Sequence, residues 1–597
     1  MRDGCRTDGT SVAPWWAGLI GRAYAFVLCA LLVLAVVVSQ FVPYILKLGT
    51  HFPVPPFPVL LFVGALVLLL VWSLIRRRVR GGEDVTSSCV LALTVLLAVV
   101  QLWFAGSYHF VTGWDSGTVS EAAWQIATTG GVPAGSFFET YISTYPNNLF
   151  LTWFATWCMR ASVALGDPSE LGGQLVFVAL NCVSNAVTCW CVYRLVALLA
   201  NGRLALMGWL LAEAILLVSP WASIMYSDSL VVGVSGAIAL NYAEVRLWLS
   251  GGAHRGGDVR HAVSGRPVER GRVARAGAPA ALGRCLLMGL LGVVGYDLKP
   301  QSAFVLLAIA VVEALGLAGS VVASLRSRRL PACAGRALLC VAGVLLGVLL
   351  AMGATTLAEA SLGIPVDGDA AFGPAHFLLM GSNEERLGTY YGPDVDFSAS
   401  LPTRQERTQG DLERYQQRVA DYGPVWYAWL LVRKAMMTYS DGTFSWGIED
   451  PFFDNLMPGP SDGLVRRLAQ ALYLPDGALC PLWASVSQAL WLATLLLCAL
   501  AGLRGHAGDA DVRGRVVCAL MLTVLGLTLF EMLFEARARY LYSSLPVFVT
   551  LAMLGLGRLD GLVGRRLRAA QGANVTRLAR GRVVRPYGVR SESRSVY

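Results

Sequence analysis

The chain has 597 residues, 55% apolar and only 15% charged, at a mean hydropathy of +0.56. That leaves too little polar surface for a soluble globule and sets the class as a polytopic membrane protein. The net charge of +9 is not a nucleic-acid footprint, because the basic residues gather in short segments beside apolar runs; the expected partner is the bilayer, with no nucleic acid.

The expected fold is all-α, with about 12–14 transmembrane helices and exterior loops carrying interfacial helices. In chain order, residues 1–84 form an N-terminal cytoplasmic segment and a transmembrane hairpin, with spans near 24–42 and 55–75. The hairpin ends at Arg76-Arg77-Arg78-Val79-Arg80, a cluster that marks the cytoplasmic side. Residues 85–357 form a transmembrane core. Its first span runs outward and delivers the loop 106–147, which holds Gly113-Trp114-Asp115-Ser116-Gly117, Glu139 and Tyr145-Pro146-Asn147-Asn148. A Trp-flanked carboxylate between two apolar runs lies at the lipid–water boundary, where it serves either as a base or as a helix cap.

The runs 149–164 and 175–199 follow; Asn181, Ser184 and Asn185 suggest that the second is a broken pair. Two later exterior turns bring Tyr226-Ser227-Asp228 and Asp297-Leu298-Lys299-Pro300. Between them the basic loop Arg255–Arg275 is cytoplasmic. Lys299 is one of three lysines among 48 basic residues, so its place in an Arg-using chain is notable. Residues 358–480 form an exterior segment of helices and loops; the stretch 358–479 holds 17 Asp/Glu against 9 Arg/Lys, the reverse of the cytoplasmic bias. Residues 481–560 close the bundle, with Glu535-Ala536-Arg537-Ala538-Arg539-Tyr540 on the exterior side, against the positive-inside pattern. Residues 561–597 are a basic cytoplasmic tail, expected to lack fixed structure and to favour anionic headgroups. Both termini are thus cytoplasmic, in a multi-pass protein of the cell membrane.

The exterior face therefore gathers Asp115, Glu139, Asp228, Tyr145, Lys299, Arg537 and Arg539 at one depth. A carboxylate there can deprotonate an acceptor hydroxyl. Lys and Arg can neutralise a phosphate as it leaves. A polyprenyl-phosphate sugar, with its tail between helices and its phosphate at the interface, suits both groups.

In the order of these features the chain resembles the lipid-sugar-dependent membrane glycosyltransferases of the GT-C fold, the superfamily of protein O-mannosyltransferases and the aminoarabinose transferase. In that superfamily a catalytic Asp lies in the first exterior loop, matching Gly113-Trp114-Asp115, and a Tyr/His-Pro element opens the next helix, matching Tyr145-Pro146-Asn147-Asn148. A later exterior Asp matches Tyr226-Ser227-Asp228, and a Lys-Pro turn matches Leu298-Lys299-Pro300. The stretches 380–394 and 535–540, the latter with Tyr540, are similar to those of bacterial members. Here Ser116 follows Asp115, where the mannosyltransferases have an acidic neighbour, and Tyr-Pro-Asn replaces His-Pro-Pro.

The resemblance implies catalytic roles for Asp115, Asp228 and Glu139, and substrate contacts from Tyr145, Asn147, Tyr226, Lys299, Arg537, Arg539 and Tyr540. It implies an inverting transfer from a polyprenyl-phosphate-linked sugar to an envelope glycan, lipid or protein. No cofactor is required, and a divalent cation held by Asp115 and Asp228 has no supporting motif. The rival reading is a transporter or lipid-linked glycan flippase, which would use charges midway along spans, such as Glu213 and Glu313.

Overall fold

The computed structural model describes residues 15–42, 44, 47, 53–79, 87–108, 113–250, 277–327, 334–447, 463–503 and 512–581. The loop 255–275 and the end of the tail lie outside them. Within them the chain is helical throughout: α1 (Trp15–Phe41), α2 (Phe57–Arg78), α3 (Ser87–Tyr108), α4 (Trp114–Thr129), α5 (Phe137–Thr144), α6 (Leu149–Ala164), α7 (Glu170–Leu199) and α8 (Gly202–Leu216). Then come α9 (Ser227–Ser250), α10 (Ala278–Leu298), α11 (Phe304–Ser327), α12 (Ala334–Ala360), α13 (Pro374–Gly381), α14 (Gly392–Ser400) and α15 (Arg404–Tyr439). The last are α16 (Leu464–Tyr473), α17 (Cys480–Gly502), α18 (Val512–Leu533) and α19 (Leu545–Gly581).

Among the described residues, eleven candidate spans are long and apolar enough to cross a bilayer. A twelfth crossing is made by α8: Arg203 near its start donates to Val79 O at the end of α2 (2.8 Å), while Gln101 of α3 donates to Leu216 O at its far end (2.6 Å). Leucines such as Leu338 and Leu349 on α12 point outward, 70% and 67% exposed, as lipid-facing residues should. Glycines let helix backbones touch where side chains would hold them apart. A Cβ on Gly555 would lie 1.8 Å from Leu497 O, at the α17–α19 crossing.

Two expectations are corrected here. The stretch 175–199 is not a broken pair but part of one 30-residue helix, α7. Its polar residues are spent on neighbours: Asn181 donates to Ala222 O and Ile224 O (3.1 and 2.9 Å), and Ser184 to Leu230 O (2.8 Å). The run 149–164 does not cross. Asn148, before its start, bonds Tyr141, and beyond its end Glu170 accepts from Ser120 of α4, so both ends stay on the Asp115 face. Chain polarity then sets α7 running away from that face.

The segment after α12 is a helical cap on the same face. Its long helix α15 is kinked where Gly423 takes φ +65° ahead of Pro424. Thr403 and Glu406 satisfy each other's amide and hydroxyl at its start. The stretch after residue 565 departs from expectation, since α19 continues as helix to Gly581.

Candidate active site at the Asp115 face

Helix α4 begins at Trp114, which takes φ +58°, and its N-cap Gly113 carries no side-chain cap bond. A large non-glycine residue in left-handed backbone marks a strained entry. Asp115 is therefore in the first turn, and its oxygens do not cap the helix. Oδ1 accepts from the Tyr141 hydroxyl at 2.8 Å and Oδ2 from the Tyr226 hydroxyl at 3.3 Å. Ser116 donates to Met225 O at 3.0 Å, tying the start of α4 to the turn that carries Tyr226.

Tyr141 is held from behind by the Asn148 amide, 2.7 Å from its hydroxyl. Burial, and then the Asp115 charge, push the Tyr141 phenol well up, so it stays a proton donor to the carboxylate. Burial pushes Tyr226 up as well, with Asp115 and Tyr141 next, against the pull of Arg539. Tyr145 is raised by burial first and then by Tyr390, Asp115 and Glu535. Its ring meets Tyr141 at 5.3 Å and Phe372 of the cap at 5.4 Å.

The cations are gathered around one aromatic ring. Lys299, 5% exposed, forms a buried ion pair with Asp228 and lies 5.0 Å over the Tyr540 ring. Arg539 lies 5.5 Å over the same ring and 5.9 Å over that of Tyr226. Lys299 is thus built into the protein and does not snorkel. Arg537 is paired with Glu535 at 3.1 Å, while its backbone amide donates to the buried Glu531 at 3.2 Å.

The arrangement unites Asp115, Tyr226, Tyr540, Arg539, Lys299 and Asp228, with Tyr145 at the edge. It gives Glu139 another partner: its carboxylate accepts from Gly135 N at 2.6 Å, and Ser136 caps its helix. Asn147 is exposed, whereas the buried neighbour Asn148 does the bonding. Asp228 is the counter-ion of Lys299 in this geometry. Sequence reasoning gives no role of its own to Tyr141, Asn148 or Asp441; the last accepts from Thr443 and Ser445 and so sets Ser445 beside the Arg539 amide (3.3 Å). An Asp-Gly-Thr stretch is a turn signal, but nothing local says what the turn presents.

Two charge clusters elsewhere in the bundle are paired internally. Glu313 is tied to Arg515, Arg246 and Tyr242, and Glu244 to Arg284 and Arg194. Glu213 is buried on α8.

Together these features define an all-α, multi-pass membrane protein whose acid, phenols and cations converge at one end of the bundle. The chain belongs to the family described as conserved hypothetical integral membrane protein, whose model matches residues 14–250 and 274–558. No curated protein matches it. Among solved structures it is distantly similar to ArnT from Cupriavidus metallidurans bound to undecaprenyl phosphate, at 13% identity and a TM-score of 0.29, over 78% of this chain and 76% of that one. A second likeness is to the archaeal oligosaccharyltransferase AglB from Archaeoglobus fulgidus, in complex with an inhibitory peptide and a dolichol-phosphate. That match has 12% identity and a TM-score of 0.33, over 80% of this chain and 52% of the other.

Proposed function

We propose that the protein is a membrane glycosyltransferase of the GT-C kind, moving a sugar from a polyprenyl-phosphate donor to an envelope acceptor on the exterior face of the cell membrane. One observation carries this reading. A carboxylate held by two phenols stands one aromatic ring, Tyr226, away from Arg539, and Arg539 and Lys299 both lie over a second ring, Tyr540, at the same end of the bundle. Asp115 takes the proton from an acceptor hydroxyl as its oxygen bonds the anomeric carbon. The bond from that carbon to the phosphate oxygen breaks, and Lys299 and Arg539 receive the charge on the departing polyprenyl phosphate. Attack opposite the leaving group inverts the anomeric centre. The route needs no metal ion. The termini in this reading are cytoplasmic.

The test is the purified protein in lipid nanodiscs with decaprenyl-phosphate sugars and an envelope extract as acceptor. Sugar transfer abolished by Asp115→Asn supports the assignment. Donor-dependent transfer that survives this change refutes it.

A further inference from the structure

A second lysine lies on the same face with no part in the proposed chemistry. Lys434, on the second half of α15, is fully buried, and its ammonium donates to Gly381 O at 2.6 Å, Phe534 O at 2.8 Å and Met532 O at 2.9 Å. An ammonium has three N–H donors, and here three carbonyls receive them. Two of the carbonyls stand at the C-terminal end of α18, where a helix leaves acceptors unmet and its dipole favours a cation. The third ends α13 in the cap. Glu531 and Glu535 are the acids that face the ammonium. On its own helix, Arg433 is occupied by Glu384 at 3.1 Å.

The cradle is shaped for close approach. A Cβ on Gly381 would lie 2.5 Å from the Phe534 carbonyl, and one on Gly388 (φ +74°) would lie 2.7 Å from Lys434 Cε. The Ala536 amide donates to Gly388 O at 3.0 Å, extending the seam by one residue pair. An apolar side chain would fill the space without the cost of burying a charge. What a charge adds is a bond from α15 to two separate elements, α13 and the end of α18, at once.

The residues fixed by this seam lead directly into the site. Phe534 is followed by Glu535, Ala536 and Arg537, and two residues on Arg539 lies over Tyr226, whose hydroxyl reaches Asp115. We propose that Lys434 is the positioning residue that sets the loop 534–540 against the site and so places Arg539 for the donor phosphate. This rests on the glycosyltransferase reading for the identity of the ligand, while the clamp itself rests on the three carbonyls.

The experiment compares full-length wild type with Lys434→Met in nanodiscs, following three quantities: thermal stability, amide hydrogen exchange of residues 534–540, and the Kd for decaprenyl phosphate. Exchange in the loop should rise about tenfold or more and the Kd should weaken about tenfold, with exchange in α7 and α17 unchanged. Where transfer is measured, donor KM should rise and kcat at saturating donor should fall as well, because Arg539 meets the charge as it develops, whereas general destabilisation lowers only the active fraction and leaves KM unchanged. If Lys434→Met fails to fold, Lys434→Gln keeps N–H donors for the carbonyls without burying a charge and should move loop exchange and Kd the same way by a smaller amount. A folded Lys434→Met with wild-type loop exchange and Kd overturns the proposal. Faster loop exchange in a protein whose wild type binds no decaprenyl phosphate overturns the donor reading and leaves the clamp standing.

Discussion

Replacing Asp115 with Asn separates the chemical role of the carboxylate from its structural one. Both carboxylate oxygens accept from phenols, Tyr141 at 2.8 Å and Tyr226 at 3.3 Å. Asn keeps one acceptor and turns the other into a donor, so one hydroxyl faces an NH₂ group. A hydrogen bond to a charged group contributes about 1.5–3 kcal/mol, and losing one from a half-buried site should cost roughly 1–2 kcal/mol of stability. General-base catalysis supplies about 10²–10⁴-fold, or roughly 2.7–5.4 kcal/mol of barrier. The kinetic loss should therefore exceed the loss in stability. Tyr141→Phe is the matched control: it deletes one donor and orphans the Asn148 amide but leaves the carboxylate, so it should show a similar stability loss with turnover down about tenfold at most. The assay is sugar transfer from a decaprenyl-phosphate donor at saturating concentration, paired with thermal unfolding of each variant. Turnover of Asp115→Asn within threefold of Tyr141→Phe would refute the assignment of a base and leave Asp115 as a structural acceptor.

The buried Lys299–Asp228 pair should be destabilised by about 3–5 kcal/mol in Lys299→Met, because a lone buried carboxylate remains. The double variant Lys299→Met/Asp228→Asn should recover most of that stability in thermal unfolding but not the affinity for decaprenyl phosphate. In contrast, Arg539→Ala should lose affinity about tenfold with little change in stability. For sidedness, Ser116 and Asp394 are both buried and would resist labelling. Cysteines at the exposed positions Ala134 and Glu413 should instead both react with an impermeant maleimide from the same side of the membrane, and reaction of only one would refute the topology. The cap should also be acid-sensitive. His376 of α13 is pulled from its ordinary 6.5 down to about 4, by burial first, with Asp394 opposing and Arg407 assisting. Ser398 donates to Asp411 at 2.7 Å and meets His376 Nδ1 at 2.7 Å, and it is burial that holds the ring neutral. The unfolded chain takes up the proton first, so this stability is fully present above about pH 6.5 and is lost as pH falls toward 4, up to about 3 kcal/mol in all. His376→Asn should flatten that part of the stability profile, and an unchanged profile would show that the imidazole is not the group titrating.

The class of the molecule, most of its spans and the end of the bundle at which most of its candidate site residues gather were legible in the sequence. These follow from short-range physics: apolar runs long enough to cross hydrocarbon, and charges that sit where water is. Asp115 and Lys299 stood out for the same reason, as polar residues placed at span ends. What the sequence could not reveal was which partner each polar group meets. Asn181 and Ser184 looked like a helix break because a polar residue in an apolar run has no local partner. In the folded protein they satisfy the carbonyls of the turn 222–230, over 40 residues away. Asn147 and Asn148 are indistinguishable by type; a single turn after Pro146 exposes one and aims the other at Tyr141. Glu139 is an acid in the right loop, yet four residues back the Gly135 amide claims it. Lys434 is one of the chain's three lysines, but its neighbours in sequence give it no role, because the three carbonyls it holds come from α13 and α18, about 53 and 100 residues distant. Hydrophobic length is a property of neighbours along the chain, and so composition and order determine the bundle. The site is a set of hydrogen bonds and ion pairs between helices far apart in sequence, and only their packing decides which carboxylate is left to act and which is already paired.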